Sequence, residues 1–148
     1  AWKLENLELP DDPYLAVAIH EYEPYKFTGQ NFQWDKYAGQ TFTLAEAGGW
    51  GAVDYDFSMI EDFMDKTGIP VILNEFGSNI TTPSQADVVA YLSGITQRCQ
   101  DLGIGWAWWH YHRTSYSESG DMALYRKNSE YGSMTWDQVA VDALMLKK

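Results

Sequence analysis

One carboxylate, Glu75, stands where a functional acid would be expected. It ends a short apolar run that begins at Val71, and Phe76-Gly77 follows it directly. A carboxylate at the end of a buried strand costs free energy unless a partner or water reaches it, so it marks a candidate active site. In the structural alternative, Glu75 leaves the core and pairs with an Arg or Lys of a loop. We favour a functional Glu75.

His20 and Tyr22 could orient such a carboxylate and keep it ionised. They are two residues apart in an apolar segment, so on a strand both side chains point to the same side. Imidazole and phenol groups also bind ligand hydroxyls. Considered without Glu75, the pair is more simply explained as a hydrogen-bonded core histidine and a packed tyrosine. Glu21 lies between them and points the other way, which makes it a poor active-site candidate.

Aromatic residues are unusually abundant, at 16% of the chain, and they include seven tryptophans. An aromatic-rich core is the simplest explanation. Many of these residues nevertheless stand among Gly, Gln, Thr and Asn in segments typical of loops, as Trp34 does. Flat apolar rings on loops suit sugars, which present C–H groups and carry no charge. The aromatic content therefore indicates a sugar-binding surface.

The charge of the chain argues against several classes of partner. Asp and Glu number 21 and Lys and Arg 10, for a net charge of −11. Such a field repels phosphate backbones and anionic lipid, so we expect neither a nucleic-acid nor a membrane partner. No apolar run reaches the length of a transmembrane helix. Motifs that bind nucleotides or phosphates are missing, so we expect no cofactor. The three His and one Cys are weak evidence for a metal site, so we expect no metal.

Apolar runs bounded by polar residues predict buried strands, and apolar stripes at helical spacing predict the helices between them. The expected strands cover residues 15–22, 69–76 and 104–112, with a possible fourth fragment at 2–9. One expected helix covers 56–67, with Asp56 as its cap and Gly68 at its end, and another covers 83–102, with Thr82 as its cap and Gly103 at its end. Thr135 should cap a last helix, in which Trp136 faces inward. This alternation within one domain, residues 1–148, indicates parallel βαβ units. Ligands gather at the carboxyl ends of such strands, where Glu75, His20 and Tyr22 should meet.

Three motifs, in this order and spacing, resemble the C-terminal half of a family 5 glycoside hydrolase, the family of cellulases and related β-glycanases. They are His20-Glu21-Tyr22-Glu23-Pro24, then Gly68-Ile69-Pro70-Val71 with Glu75-Phe76-Gly77, and then Gly105-Trp106-Ala107-Trp108-Trp109. The resemblance covers essentially the whole chain. It implies an α/β fold, namely half of a (β/α)8 TIM barrel with three to four parallel strands and helices on the outer face.

The same resemblance implies the half-barrel of a retaining β-glycosidase, similar to an endo-β-1,4-glucanase or cellulase, that hydrolyses O-glycosidic bonds in a β-linked polysaccharide or oligosaccharide. Glu75 would be the nucleophile, and His20 and Tyr22 would orient it. Trp109 would stack under the sugar, with its neighbour Trp108 as the alternative. A secreted or periplasmic location is also implied.

The chain lacks the segment that carries the acid/base carboxylate in this family. Retaining hydrolysis needs a second carboxyl group about 5–5.5 Å from the nucleophile, and a barrel needs eight strands. Three strands would also leave open edges and a bare inner face. We therefore expect a second chain to complete the barrel, either another copy in a homodimer or a complementary N-terminal half. The alternatives are a catalytically inactive carbohydrate-binding module and a structural half-barrel that self-associates.

Overall fold

The computed structural model describes residues 4–146, except for the side chain of Glu5. A 3-10 turn at Leu4–Asn6 opens this part of the chain. The strands are β1 (Val17–Glu21), β2 (Val71–Phe76), β3 (Gly105–Trp108), β4 (His112–Arg113), β5 (Tyr125–Lys127) and β6 (Met134–Trp136), and the helices are α1 (Tyr25–Thr28), α2 (Gly51–Thr67), α3 (Gln85–Leu102) and α4 (Gln138–Leu144). None of these helices is both long and apolar enough to cross a lipid bilayer.

Strands β1, β2 and β3 form a parallel sheet in that order. The prediction of three parallel strands is confirmed, although each strand is shorter than its predicted range. Helix α2 precedes β2 and helix α3 precedes β3, because parallel neighbours need long crossover connections. His20 is paired with Glu75, and Phe76 with Trp108. The polar ends of the strands therefore meet along one edge of the sheet.

The two faces of this sheet differ in how much of them is covered. On one face Val17, Val71 and Leu73 are buried in a single apolar core that also contains the buried residues of α2 and α3. On the other face Ala18 and Ile72 are exposed, and Ile72 leaves 39% of its surface uncovered. Parallel sheets are normally covered on both faces. The parallel sheet thus has one face covered by helices and one open face.

Glycine ends both long helices, as the sequence predicts. Gly68 after α2 and Gly103 after α3 have φ values of 69° and 67°, in the left-handed region that a side chain disfavours. Each donates its backbone N–H to a carbonyl group of the last turn. The lengths of α2 and α3 are therefore set at their C-terminal ends by the local sequence.

The predicted beginnings of these two helices are wrong. Helix α2 starts at Gly51, and Asp56 lies within it instead of capping it. The carboxyl group of Asp56 hydrogen bonds to that of Glu21 on β1. This is a tertiary contact, which the local sequence does not predict. Ser84, not Thr82, caps α3, and its side chain accepts the N–H of Asp87.

The segment after β3 departs furthest from its prediction. The strand predicted at 104–112 ends at Trp108, and the chain then forms a second, small sheet in which β4 and β5 are parallel and β5 and β6 antiparallel. Trp136 belongs to β6 and is 49% exposed, so the expectation that it faces inward on the last helix is wrong. Asp137 caps α4 in place of Thr135.

The predicted fourth strand fragment is also wrong for residues 4–9. These residues contain the 3-10 turn and no strand. Residues 2 and 3 of that fragment lie outside the described part of the chain.

Candidate active site

Glu75, near the carboxyl end of β2, is held by a hydrogen bond from Tyr22. The Tyr22 hydroxyl, in the residue that follows β1, donates to Glu75 Oε1 at 2.5 Å. Burial raises the pKa of Tyr22 well above its usual value, and the hydrogen bond and negative charge of Glu75 raise it further. The phenol therefore keeps its proton at neutral pH and acts as a donor to the carboxylate.

His20 lies on the other side of the same carboxylate. Its Nε2 is 3.6 Å from Glu75 Oε2, and its side chain is 55% exposed, against 26% for Glu75. The pairing of β1 with β2 shifts between Ile19 and His20, and this shift brings His20 directly opposite Glu75. One oxygen of Glu75 faces Tyr22 and the other faces His20, which fixes the orientation of the carboxylate at a solvent-accessible edge.

Trp109 reaches the same edge because the chain after β3 packs tightly against the end of β2. Its backbone N–H donates to the Phe76 carbonyl at 2.8 Å. A Cβ atom on Gly77 would lie 2.7 Å from the Trp109 carbonyl oxygen and 3.2 Å from the Tyr22 ring, so only glycine permits this approach. Trp109 is 51% exposed and is available to a ligand. We refer to His20, Tyr22, Glu75 and Trp109 as the Glu75 site.

The two other tryptophans considered for sugar contact make their ring contacts with residues outside the Glu75 site. Trp108 donates from Nε1 to the Met122 carbonyl at 2.9 Å and packs edge-to-face against Phe76. Trp34 is 75% exposed and stacks on Phe32 in the connection between α1 and α2. Within residues 4–146, neither indole makes a ring contact or hydrogen bond with a side chain of the Glu75 site.

Two buried amides hold the loops after β1 and β2 together, and the sequence analysis missed them. Asn79 Nδ2 donates to the Gln30 carbonyl at 2.9 Å, and Gln30 Oε1 accepts the Phe42 N–H at 2.7 Å. Both amide residues are fully buried. No sequence signal could have found them, because an amide in an irregular segment follows no periodicity that separates buried from exposed positions.

A second carboxyl group, that of Glu21 on β1, lies on the opposite face of the sheet. Glu21 is only 3% exposed, and its Oε1 accepts the Glu23 N–H at 2.5 Å. Burial is the main cause that raises the pKa of Glu21 to about 8, with a further contribution from Asp56. This carboxyl group faces α2, as the alternation of side chains along a strand predicts.

The Glu75 site is an open edge and not an enclosed cavity. A cavity of about 700 Å³ lies elsewhere, between the N-terminal segment and α2, and is lined by Leu7, Met59 and Phe63 among others. No residue of the Glu75 site lines it. The site is open because the inner face of the sheet beside it is uncovered.

Comparison with known proteins decides the family. The family model Cellulase (glycosyl hydrolase family 5) matches residues 2–115 of the 148. The chain belongs to glycosyl hydrolase family 5. The four residues of the Glu75 site all lie within the matched part, whereas β5, β6 and α4 follow it.

Individual known proteins also match nearly the whole chain. Endoglucanase H of Acetivibrio thermocellus is 27% identical over 147 residues, which are 95% of this chain and 14% of that protein. The cellulose synthase subunit Z (CcsZ) of Clostridioides difficile matches 96% of this chain and 44% of its own, with a TM-score of 0.71 and 23% identity. Thermotoga maritima Cel5A in complex with cellobiose matches 96% of this chain and 43% of its own, with a TM-score of 0.71 and 20% identity.

These matches confirm the predicted fold class, a partial TIM barrel with parallel strands and outer helices. The chain spans less than half of either solved structure and a seventh of Endoglucanase H, as the coverages of 44%, 43% and 14% show.

Proposed function

We propose that this chain is the C-terminal half of the catalytic barrel of a retaining β-glycosidase of the endo-β-1,4-glucanase type, with Glu75 as the nucleophile. The observation that carries the proposal is the oriented carboxylate. Tyr22 donates to one oxygen of Glu75 at 2.5 Å, and His20 lies 3.6 Å from the other. This group stands at the carboxyl edge of a parallel sheet, which is the edge where barrel enzymes hold their active sites.

The geometry supports attack by Glu75 on the anomeric carbon of a β-linked sugar. The bond from this carbon to the leaving oxygen breaks, positive charge develops on the sugar ring, and a new bond forms to a carboxylate oxygen of Glu75. The leaving oxygen takes a proton from a second carboxylic acid. Water, deprotonated by that same group, then releases the sugar from Glu75. Tyr22 holds the carboxylate in position, so less entropy is lost on reaching the transition state.

Trp109 supplies a flat surface for the sugar next to Glu75. It is 51% exposed, and its backbone is fixed to the end of β2 by the bond to Phe76. Trp108 is the weaker candidate because its N–H and one side of its ring are already used within the protein. The exposed ring of Trp34, braced by Phe32, could contact a more distant sugar.

A neutral β-linked oligosaccharide or polysaccharide is the substrate class that these features favour. The net charge of −11 disfavours an anionic chain. Solved structures of Thermotoga maritima Cel5A contain cellobiose in one case and mannotriose in another. Among β-linked glycans, glucan is our first choice because the matched relatives include endoglucanases, and mannan is the alternative.

The second carboxylic acid must come from outside the Glu75 site. In the described part of the chain, the side chains that contact the Glu75 carboxylate are a phenol and an imidazole, and neither can replace a carboxylic acid. The exposed inner face of the sheet indicates where the remaining barrel would pack. A complementary N-terminal half is favoured over a homodimer, because two copies of a three-stranded sheet supply six strands and a TIM barrel needs eight.

An activated substrate tests Glu75 without the missing acid. Dinitrophenolate leaves without protonation, so a dinitrophenyl β-cellobioside should glycosylate Glu75 and release up to one equivalent of dinitrophenolate per chain in a burst. Mass spectrometry should then find a cellobiosyl adduct on the peptide that contains Glu75. Glu75→Gln should abolish both signals. A burst of the same size in Glu75→Gln, or an adduct elsewhere, would exclude Glu75 as the nucleophile.

A carbohydrate-binding role without catalysis is the second candidate, and the exposed Trp109 favours it. Binding of cellobiose that is lost in Trp109→Ala, together with no burst and no turnover of soluble β-glucan, would support this role. Adding an N-terminal family 5 half-barrel to this chain in increasing amounts further separates the half-enzyme from the carbohydrate-binding role. Turnover that appears only in the mixture, and only with Glu75 intact, supports the half-enzyme.

A further inference from the structure

Outside the Glu75 site, the small sheet and the residue that precedes it carry three aromatic side chains packed into one group. Tyr111, Tyr125 and Trp136, here called the aromatic cluster, have ring centroids 6.4 Å apart for the two tyrosines, 5.6 Å for Tyr111–Trp136 and 5.0 Å for Tyr125–Trp136. Tyr111 is 59% exposed and Trp136 is 49% exposed. Contiguous exposed rings of this kind mark a binding surface more often than isolated ones do.

Backbone hydrogen bonds and an ion pair hold the aromatic cluster in place. Tyr125 lies directly opposite Trp136 in the antiparallel pair of β5 and β6. The Tyr125 N–H donates to the Tyr111 carbonyl at 3.0 Å, and Arg126 pairs with Asp137 at 2.7 Å beside them. Because the rings are positioned before a ligand arrives, little side-chain entropy is lost on binding.

The polar atoms at the edges of these rings are available to a ligand. Among the residues that the structure describes, no hydrogen bond involves the hydroxyl of Tyr111, the hydroxyl of Tyr125 or Nε1 of Trp136. Flat apolar faces with hydrogen-bonding groups at their edges match a sugar, which presents C–H groups on its faces and hydroxyls around its rim.

The size of the aromatic cluster argues against a protein partner. Three rings of this kind bury roughly 150–250 Å² each when fully covered, and about half of Tyr111 and Trp136 is already covered. The remaining exposed area is a few hundred Å², below the roughly 800 Å² that each side of a stable protein interface buries. A polyanion is disfavoured by the net charge of −11. A neutral sugar chain is the occupant that fits both limits.

The aromatic cluster is joined through the backbone to the segment that carries Trp109. Tyr111 follows Trp109 by two residues. The Leu124 N–H donates to the His110 carbonyl at 3.3 Å, so the residue that precedes β5 lies next to the segment between Trp109 and Tyr111. We propose that the aromatic cluster binds additional sugar units of the neutral β-linked glucan chain whose reacting unit stacks on Trp109. For its ligand class, this inference rests on the proposed function.

Binding of a short and a long ligand tests the inference. Cellobiose should contact Trp109 alone, whereas a soluble β-glucan polymer should contact Trp109 and the aromatic cluster. Tyr111→Leu and Trp136→Leu remove a flat ring but keep apolar packing. Each should weaken polymer binding about fivefold to tenfold while leaving cellobiose binding unchanged. The matched control is Tyr131→Leu, because Tyr131 is 92% exposed in the connection between β5 and β6.

The outcomes separate this inference from the proposed function. Polymer binding that both cluster variants retain overturns the inference, while cellobiose binding that depends on Trp109 leaves the proposed function intact. Failure of the unmodified protein to bind either ligand overturns the inference, while the burst and mixing experiments still decide the proposed function. Loss of polymer binding together with a lower solution mass by light scattering would show that the cluster joins protein chains, which also overturns the inference. Circular dichroism of each variant confirms that the fold is retained.

Discussion

Glu75 and Glu21 lie on neighbouring strands of one sheet, but on opposite faces and in opposite surroundings. The side chain of Glu75 is 26% exposed, and its partners are the phenol of Tyr22 and the imidazole of His20. Glu21 is 3% exposed, and burial raises its pKa to about 8. The helix-facing side is complete within this chain, so burial governs the chemistry of Glu21. The inner side is open, so Glu75 stays partly accessible to solvent and neighbouring side chains orient its carboxylate.

The largest expected effect is on stability and distinguishes the two faces directly. Leu73→Ala removes a fully buried side chain on the helix-facing side and should lower the free energy of unfolding by about 2–5 kcal/mol. Ile72→Ala, on the inner face with 39% exposure, should cost about 1 kcal/mol or less. Urea unfolding followed by circular dichroism measures both. Equal losses would mean that the inner face is covered in solution. Light scattering at two protein concentrations would then show whether self-association covers it, because the solution mass would rise with concentration.

A smaller effect comes from the ionisation of Glu21. In the unfolded chain this carboxyl group has its ordinary pKa of 4.5, whereas burial in the folded chain raises the pKa to about 8. Between these values the unfolded state binds fewer protons, so the free energy of unfolding should fall as the pH rises, by a few kcal/mol at most. Glu21→Gln, which cannot ionise, should flatten this slope, while Glu61→Gln on the exposed side of α2 should not. A stability that rises through this pH range would contradict the assignment.

On the open face, Tyr22→Phe tests the orientation of Glu75. It removes the donor to Glu75 Oε1 and should slow the burst from dinitrophenyl β-cellobioside about tenfold to a hundredfold, as expected for the loss of one hydrogen bond to a charged group. Tyr25→Phe is the matched control, because its hydroxyl also donates to a carboxylate, that of Asp35. Equal rates for the two variants would mean that the bond from Tyr22 does not assist Glu75.

The smallest effect should come from the contact that places Trp109. Gly77→Ala puts a Cβ atom 2.7 Å from the Trp109 carbonyl and should displace this residue, which weakens cellobiose binding about fivefold. Gly105→Ala adds the same methyl group where the nearest atom, on Ile72, is 3.7 Å away, and should leave binding unchanged. Isothermal titration measures both variants. Unchanged binding in Gly77→Ala would show that Trp109 tolerates the shift.

Much of the sheet and part of the candidate site could be predicted. The apolar runs around residues 17–21, 71–76 and 105–108 located the strands. The spacing of His20 and Tyr22 put both side chains on the same side of their strand, and both contact Glu75 in the structure. The small sheet after β3 could not be predicted in the same way. Its strands are two or three residues long, too short for a periodic pattern to distinguish them from a loop.

The sequence by itself determined the features that depend on local chain geometry. Side-chain alternation put Glu21 and Tyr22 on opposite faces of the sheet, and Gly68 and Gly103 ended their helices because glycine adopts a positive φ at little cost. Only the tertiary structure decided which groups meet. The register shift at His20, the approach of Trp109 to Gly77 and the pairing of Asn79 with Gln30 join residues that lie far apart along the chain. Such contacts form only when whole strands and loops pack together, so no local pattern encodes them.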